Sequence, residues 1–179
     1  MRQIKILLLI LASTLLLSAC NNEDKTAEAV NQAVAIESGD ECHVCGMIIT
    51  RFPGPKGESF SRYDKKVRKY CSTRDLFAFV LEPENSASVS DIYVHDMAVT
   101  PWDHPDDKTL IDAKKAYYVI NHSLKGAMGA TLASFKQQAD AEAFAKKYQG
   151  SVIRFEQVDM PLLQSLKVAG GTGGKMMQH

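Results

Sequence analysis

Two stretches of this 179-residue chain, 39–97 and 116–160, each spell strand, strand, helix, strand. One such unit would lay a single helix on a very small sheet and bury too little apolar surface to stand alone. Two packed together make a workable core. In the first stretch the apolar run Gly46 to Thr50 reads as a strand, Pro53-Gly54-Pro55-Lys56-Gly57 as a turn, and Val67 to Cys71 as a second strand. Ser72 or Thr73 can cap a helix with Asp75 in its first turn, Leu76, Phe77, Phe79 and Val80 on its buried side, and Pro83 at its end. Asp91 to Met97 alternates well enough for a strand. The second stretch begins with the β-rich run Ala116 to Ile120, and Met128 to Phe135 reads as its partner. Asp140 then caps a helix with Ala141, Phe144, Ala145 and Tyr148 at i, i+3, i+4 and i+7, Gly150 is placed to end it, and Ser151 to Val158 reads as a strand. The expectation is an α+β protein of two similar ββαβ lobes packed together, joined by a linker over 98–115.

The chain ends set the compartment. Arg2 and Lys5 precede an apolar run from Ile6 to Leu17, too short to span a bilayer, and Leu17-Ser18-Ala19-Cys20 follows. That four-residue ending resembles a bacterial lipobox, in which the peptide before the cysteine is removed and the cysteine is lipidated. Residues 1–19 are therefore expected to be a lipoprotein signal peptide and Cys20 a stable multi-chain membrane anchor on the periplasmic side. Asn21 instead of an aspartate tilts the expectation toward the outer membrane. Residues 20–38 are polar and Ala-rich and read as a flexible tether. Residues 161–179 read as a tail, whose Gly-rich end lacks the Ser or Thr and the following helix that a phosphate loop needs. Removing Arg2 and Lys5 leaves a net charge of roughly −2 with no basic patch, which argues against nucleic acid as a partner.

Between tether and core lies Glu41-Cys42-His43-Val44-Cys45-Gly46-Met47. After Cys20, three cysteines remain, Cys42, Cys45 and Cys71, an odd number for an oxidising compartment. In a strand, residues two apart share a face, which pairs Cys45 with Met47 and makes His43 conditional on a bend. Thiolate plus thioether suits Cu(I), a soft ion that tolerates few ligands, whereas zinc rarely uses methionine. Met128, in the Gly126-Ala127-Met128-Gly129 turn, is a further candidate sulfur ligand, with His122 and His104 as less certain nitrogen donors and Met176, Met177 and His179 on the tail. Two alternatives stay open. Cys42 and Cys45 could form a thiol-disulfide oxidoreductase pair, or Cys42, His43, Cys45 and Cys71 a structural zinc site in an interaction protein. Cys71 by itself reads as a small buried hydrophobe. No nucleophile motif, carboxylate pair or cofactor fingerprint is present, so an enzyme is not expected.

The lipobox, CGM followed by GPKG, KYCSTRDLFAFV, YVHDMAVTPW, IDAKKAYYVI, GAMG followed by ASF, ADAEAFAKKYQG and SVIRFEQV occur in an order that resembles the nitrous oxide reductase accessory lipoproteins, the NosL family. The resemblance spans roughly Cys42 to Val158. It implies a Cu(I)-binding lipoprotein that serves assembly of the copper centres of nitrous oxide reductase, on a fold of two ββαβ lobes. It places the metal on Cys45 and Met47 (the CGM pair) and on Met128 (the GxMG methionine). The residues themselves offer His43 or His122 as a fourth donor. Many members lack the first cysteine, which makes Cys42 an accessory thiol, and a disulfide to Cys45 would block the site. The implied partners are a copper-loading ABC-type membrane machinery and the apo reductase.

Overall fold

The computed structural model describes residues 30–169. The expected signal peptide, Cys20, Asn21, the first part of the tether and the tail donors Met176, Met177 and His179 lie outside the described residues. Among those described, no helix is long and apolar enough to cross a membrane.

The fold is mixed α/β, with two antiparallel sheets. Strands β1 (Gly57–Ser61), β2 (Val67–Tyr70), β3 (Val89–His95) and β4 (Leu110–Asp112) form the first sheet in the order β2-β1-β3-β4. Between β2 and β3 the chain makes helices α1 (Thr73–Val80) and α2 (Pro83–Ser86). Strands β5 (Tyr117–Ile120), β6 (Ala133–Phe135) and β7 (Ser151–Arg154) form the second sheet in the order β6-β5-β7, with α3 (Gln138–Tyr148) before β7 and α4 (Met160–Ser165) after it. In each sheet the first strand in sequence is flanked by the second and by the strand that follows a helix.

One apolar cluster draws on both sheets. Tyr70, Leu76, Phe77, Ile92 and Val94 pack with Tyr118, Ile120, Leu132, Val158 and Leu163. Phe77 stands edge-on to Tyr118 at 5.1 Å between ring centroids and 5.3 Å from Phe155. The Tyr118 hydroxyl, sealed inside, donates to the Ala113 carbonyl at 2.7 Å, as a buried phenol must. A second cluster, Met97, Val119, Ala133, Phe135 and Ala141, takes Trp102 and Phe144 at its edge.

Several elements differ from the pattern read in the sequence. Gly46 to Thr50 is not a strand. It is a tight turn with Gly46 at φ +70°, leading into a 3-10 turn over Ile49–Arg51. The first strand is instead Gly57–Ser61, hidden from periodicity because its buried positions include Glu58, Ser59 and Ser61. These polar groups find partners inside: Ser59 Oγ meets the Tyr70 hydroxyl at 2.8 Å and Glu58 Oε1 accepts the Val34 N–H at 2.9 Å. β1 starts on glycine because a Cβ at Gly57 would come within 2.6 Å of Leu76 Cδ2 on α1. The span 98–115 contributes β4, which pairs with β3 through Val94 and Ile111. Helix α3 begins at Gln138 with no side-chain cap, so Asp140 lies in its first turn. The left-handed C-cap is Gln149, and Gly150 is required because a Cβ there would meet Val119 Cγ1 at 2.3 Å.

The tether region also departs from expectation over its described part. Residues 31–36 lie along the first sheet. Asn31 N–H and Nδ2 both donate to Asp91 Oδ2 at 2.9 Å, the Tyr93 hydroxyl donates to the Asn31 carbonyl, and Ile36 N–H donates to Asp107 Oδ2 at 2.7 Å. Lys69 Nζ reaches the Ala35 carbonyl at 2.6 Å. Backbone donors satisfied by buried or half-buried side chains fix this strap without any strand pairing.

Candidate metal centre

The CxxC segment is held by its backbone. Gly46 N–H donates to the Cys42 carbonyl at 2.8 Å, and Cys42 N–H to the Met47 carbonyl at 2.9 Å. Glu41 bridges to Ile48, closing a small loop. The positive φ of Gly46 makes that reversal cheap. The loop is fastened to the sheet where His43 N–H donates to the Lys69 carbonyl at 2.9 Å. Because this is a turn and not a strand, the alternation argument for Cys45 and Met47 does not apply. The turn instead sets Met47 N–H toward the Cys45 sulfur, and both residues pack half-buried against the main core.

Cys71 follows β2 and ends directly under this loop. Ser72 then caps α1, its Oγ accepting the Asp75 N–H at 3.1 Å, which places Asp75 in the first helical turn facing back toward Cys71. The result is a convergence: one ligand atom each from Cys42, Cys45, Cys71 and Asp75, all within 4.8 Å of one another. Cys45 Sγ lies 3.5 Å from Cys71 Sγ, and the Cys71 thiol donates to Asp75 Oδ2 at 2.9 Å. Cys42 Sγ is 3.9 Å from the same oxygen. Cys42 and Cys71 are buried, and Cys45 is the partly exposed member.

Crowding three thiols and a carboxylate makes their ionisation unequal. The Cys71 thiol turned toward Cys42, opposed by burial, holds the Cys42 pKa down at about 5. Cys71 itself is pushed up, first by the neighbouring Cys42 sulfur, then by burial and by Asp75, to which its thiol donates. Burial raises Cys45. The cluster yields one proton easily and retains the others, so it presents an anionic sulfur beside neutral ones.

The remaining candidates fall in different places. Met128 sits half-exposed in the 126–129 turn, where Gly126 and Gly129 bond each other at 2.7 and 3.2 Å and Gly129 has φ +90°. A Cβ on Gly126 would meet Thr131 Cγ2 at 2.9 Å, and Thr131 Oγ1 is 2.9 Å from Thr73 Oγ1, the first residue of α1. That chain of contacts ties the Met128 turn to Thr73 at the start of α1, two positions after Cys71 in sequence. The His43 ring stands edge-on to Phe79 at 5.0 Å and Tyr70 at 6.2 Å, and it is not among the four converging donors. His122 is likewise outside them. It is buried edge-on to Trp102 at 5.4 Å and Phe144 at 5.3 Å, with no hydrogen bond of full geometry to either ring nitrogen among the described residues. Burial holds its pKa down at about 4, which the nearby backbone of Thr131 and Leu124 offsets only in part. His104 lines a 210 Å³ cavity with Lys56, Asp103 and Asp107. Asp75 is the member that sequence reasoning does not reach, and Cys71 enters there only in the zinc alternative and as a small buried hydrophobe. The signal was present in their i, i+4 spacing across a helix N-terminus.

Comparison with known proteins now bears on this geometry. The family model described as NosL matches residues 33–163. The chain belongs to the NosL family. It is 47% identical over 163 residues to a copper-binding lipoprotein NosL of Stutzerimonas stutzeri, covering 91% of this chain and 83% of that one. It is 35% identical over 153 residues to a copper-binding lipoprotein NosL of Achromobacter cycloclastes, covering 84% and 78%. The crystal structure of the copper chaperone NosL from Shewanella denitrificans superposes with a TM-score of 0.73 at 48% identity, covering 74% of this chain and 98% of that one. These NosL relatives are copper-binding proteins and a chaperone, not enzymes, and the mixed α/β fold matches that of the Shewanella denitrificans chaperone.

Proposed function

We propose that this chain is a periplasmic carrier of Cu(I), anchored to a membrane through lipid on Cys20, that delivers copper for assembly of the copper centres of nitrous oxide reductase. The single observation that carries the reading is the meeting of Cys42, Cys45 and Cys71 beneath the loop that also holds Met47. Thiolates and thioethers are the donors a soft monovalent ion prefers, and three sulfurs are enough for it. Cys45 is the partly exposed thiol, Met47 adjoins it, and the half-exposed Met128 lies on the neighbouring turn. Copper entering or leaving can therefore exchange buried sulfurs for rim sulfurs one at a time. Asn21 tilts the anchor toward the outer membrane. The copper-loading ABC-type membrane machinery would be the donor and the apo reductase the acceptor.

The shared strand order of the two sheets supports the reading of two similar ββαβ lobes, 39–97 and 116–160, that bury one core between them. The rival thiol-disulfide oxidoreductase reading pairs Cys42 with Cys45, whereas Cys45 Sγ stands 3.5 Å from Cys71 Sγ and all three thiols share one cluster.

The test is the copper content of nitrous oxide reductase purified from cells lacking this chain and complemented with variants. The wild-type chain is expected to restore copper loading and Cys45→Ser to leave the reductase underloaded. Full loading with Cys45→Ser overturns the proposal.

A further inference from the structure

The strap over residues 31–36 crosses the first sheet along one line of register. Glu58 on β1 pairs with Tyr93 of β3 on one side and with Lys69 of β2 on the other, so the three side chains stand abreast on one face. The strap meets each of them in turn. The Tyr93 hydroxyl donates to the Asn31 carbonyl, Glu58 Oε1 accepts the Val34 N–H at 2.9 Å, and Lys69 Nζ donates to the Ala35 carbonyl at 2.6 Å. Carboxylates clasp the two ends, Asp91 at Asn31 and Asp107 at Ile36. Apolar contact adds little, because no residue of the strap is buried and only Ile36 among them packs against the main core. Such a segment can leave as a unit with small loss to the core. Beneath it Glu58 is wholly buried, and its Oε2 has no hydrogen-bond partner among the described residues. A charged carboxylate in that position lacks the water it needs. We propose that residues 31–36 are a releasable strap, seated while Glu58 is neutral and lifted when Glu58 takes its charge and water reaches Oε2.

The groups facing Glu58 set the balance. Burial disfavours its charge most, the Val34 N–H and the Lys69 ammonium favour it, and Asp107 opposes it. Asp107 is itself opposed by burial, yet the His95 ring at 3.0 Å and the Ile36 N–H hold it below the usual carboxylate range, so it stays a negative neighbour. The Tyr93 hydroxyl is pushed up by burial, then by Asp91 and Asp112, and stays neutral. Release stops at the next turn. Glu37 N–H donates to Asp40 Oδ2 at 2.7 Å, Asp40 N–H to the Glu37 carbonyl at 3.0 Å, and Ile49 N–H to the Asp40 carbonyl at 3.0 Å, while Lys69 Nζ also holds the Asp40 carboxylate. This turn keeps the 42–47 loop in place while residues 31–36, about 20 Å of extended chain, join the segment that leads back to Cys20. That gain in reach rests on the lipid-anchor reading, and the release itself does not.

The test is amide exchange read by mass spectrometry on the full chain carrying Cys20→Ser, at pH 6 and pH 8, each rate divided by its intrinsic value. Protection over 31–36 is expected to fall about tenfold between the two, as linkage to a group that titrates near 7 only when sealed requires, while α1 keeps its protection. Glu58→Gln keeps an acceptor oxygen and cannot ionise, so the fall is expected to disappear. Asn31→Asp leaves the sheet untouched and sets a second carboxylate against Asp91, so the Val34 and Ile36 amides are expected to lose protection at both pH values. Equal protection of 31–36 at pH 6 and pH 8 overturns the proposal. A fall that persists in Glu58→Gln overturns it equally, as does an Asn31→Asp effect confined to residue 31, because the strap would then not leave as a unit. Recovery of the wild-type chain in the soluble fraction of cells would remove the anchor reading and leave the release intact.

Discussion

Cys45 and Cys71 place their sulfurs 3.5 Å apart although twenty-six residues separate them. One sits on a turn ahead of the first sheet and the other between β2 and α1, so folding of the first sheet is what assembles the site. Metal affinity and the integrity of that sheet are coupled. Cys71→Ser should therefore lower Cu(I) affinity by at least about tenfold, equivalent to about 1.4 kcal/mol, in competition against a Cu(I) chelator. A fully retained affinity would return Cys71 to the role of a small core residue.

His122 offers the opposite expectation. It is enclosed by Trp102 and Phe144 and is not one of the converging donors, so His122→Leu should leave Cu(I) affinity unchanged. The same substitution should alter acid stability. The folded state holds His122 at a pKa of about 4 by burial, below its ordinary value, so the unfolded chain binds its proton first. Stability from this group is present above the ordinary histidine pKa and is lost as pH falls through about 4. Chemical denaturation at successive pH values should show a shallower decline between about pH 6.5 and 4 in the variant.

Glu58 gives a pH dependence of the other sign. Its carboxyl is wholly buried on β1, Oε2 has no partner among the described residues, and burial pushes its pKa up to about 7. The folded state then binds the proton more tightly than the unfolded one. Stability is full below the ordinary glutamate pKa and falls as pH rises toward and through about 7, by an amount on the order of 3 kcal/mol. Glu58→Gln should remove that slope, making the variant relatively more stable at pH 8 than at pH 5. Because Glu58 accepts the Val34 N–H, lower amide protection along residues 31–36 at pH 8 than at pH 5, after division by the base-catalysed intrinsic rate, should accompany the wild-type loss.

Phe77 tests whether the two sheets share one core. It joins α1 to Tyr118 of β5 and to Phe155 beyond β7. Phe77→Ala should cost about 3–5 kcal/mol in denaturant unfolding and leave a single transition. Two separated transitions would mean that the halves unfold independently.

The sequence carried the helices and the metal chemistry better than the strands. Leu76, Phe77 and Val80 on α1 repeat at helical spacing and are all buried, so periodicity found them. β1 escaped because its buried positions are satisfied by tertiary partners, such as Tyr70 for Ser59, that no local pattern announces. The CGM turn reads as a strand in the sequence because Met47-Ile48-Ile49 is apolar, while the positive φ of Gly46 ends any extension there. Asp75, and Cys71 as a partner of the copper site, are hidden from the sequence for a related reason. A buried cysteine after a strand and an acid in a first helical turn each have an ordinary structural explanation, and only the fold brings both under Cys45.

The most direct measurement is anaerobic Cu(I) titration of the full chain against a chelator of known affinity, comparing wild type with Cys45→Ser and Met47→Leu. One tightly held Cu(I) is expected in the wild type, near-complete loss in Cys45→Ser, and clear weakening in Met47→Leu. Equal affinity in all three would contradict that expectation, because the copper would then reside away from the thiols under the 42–47 loop.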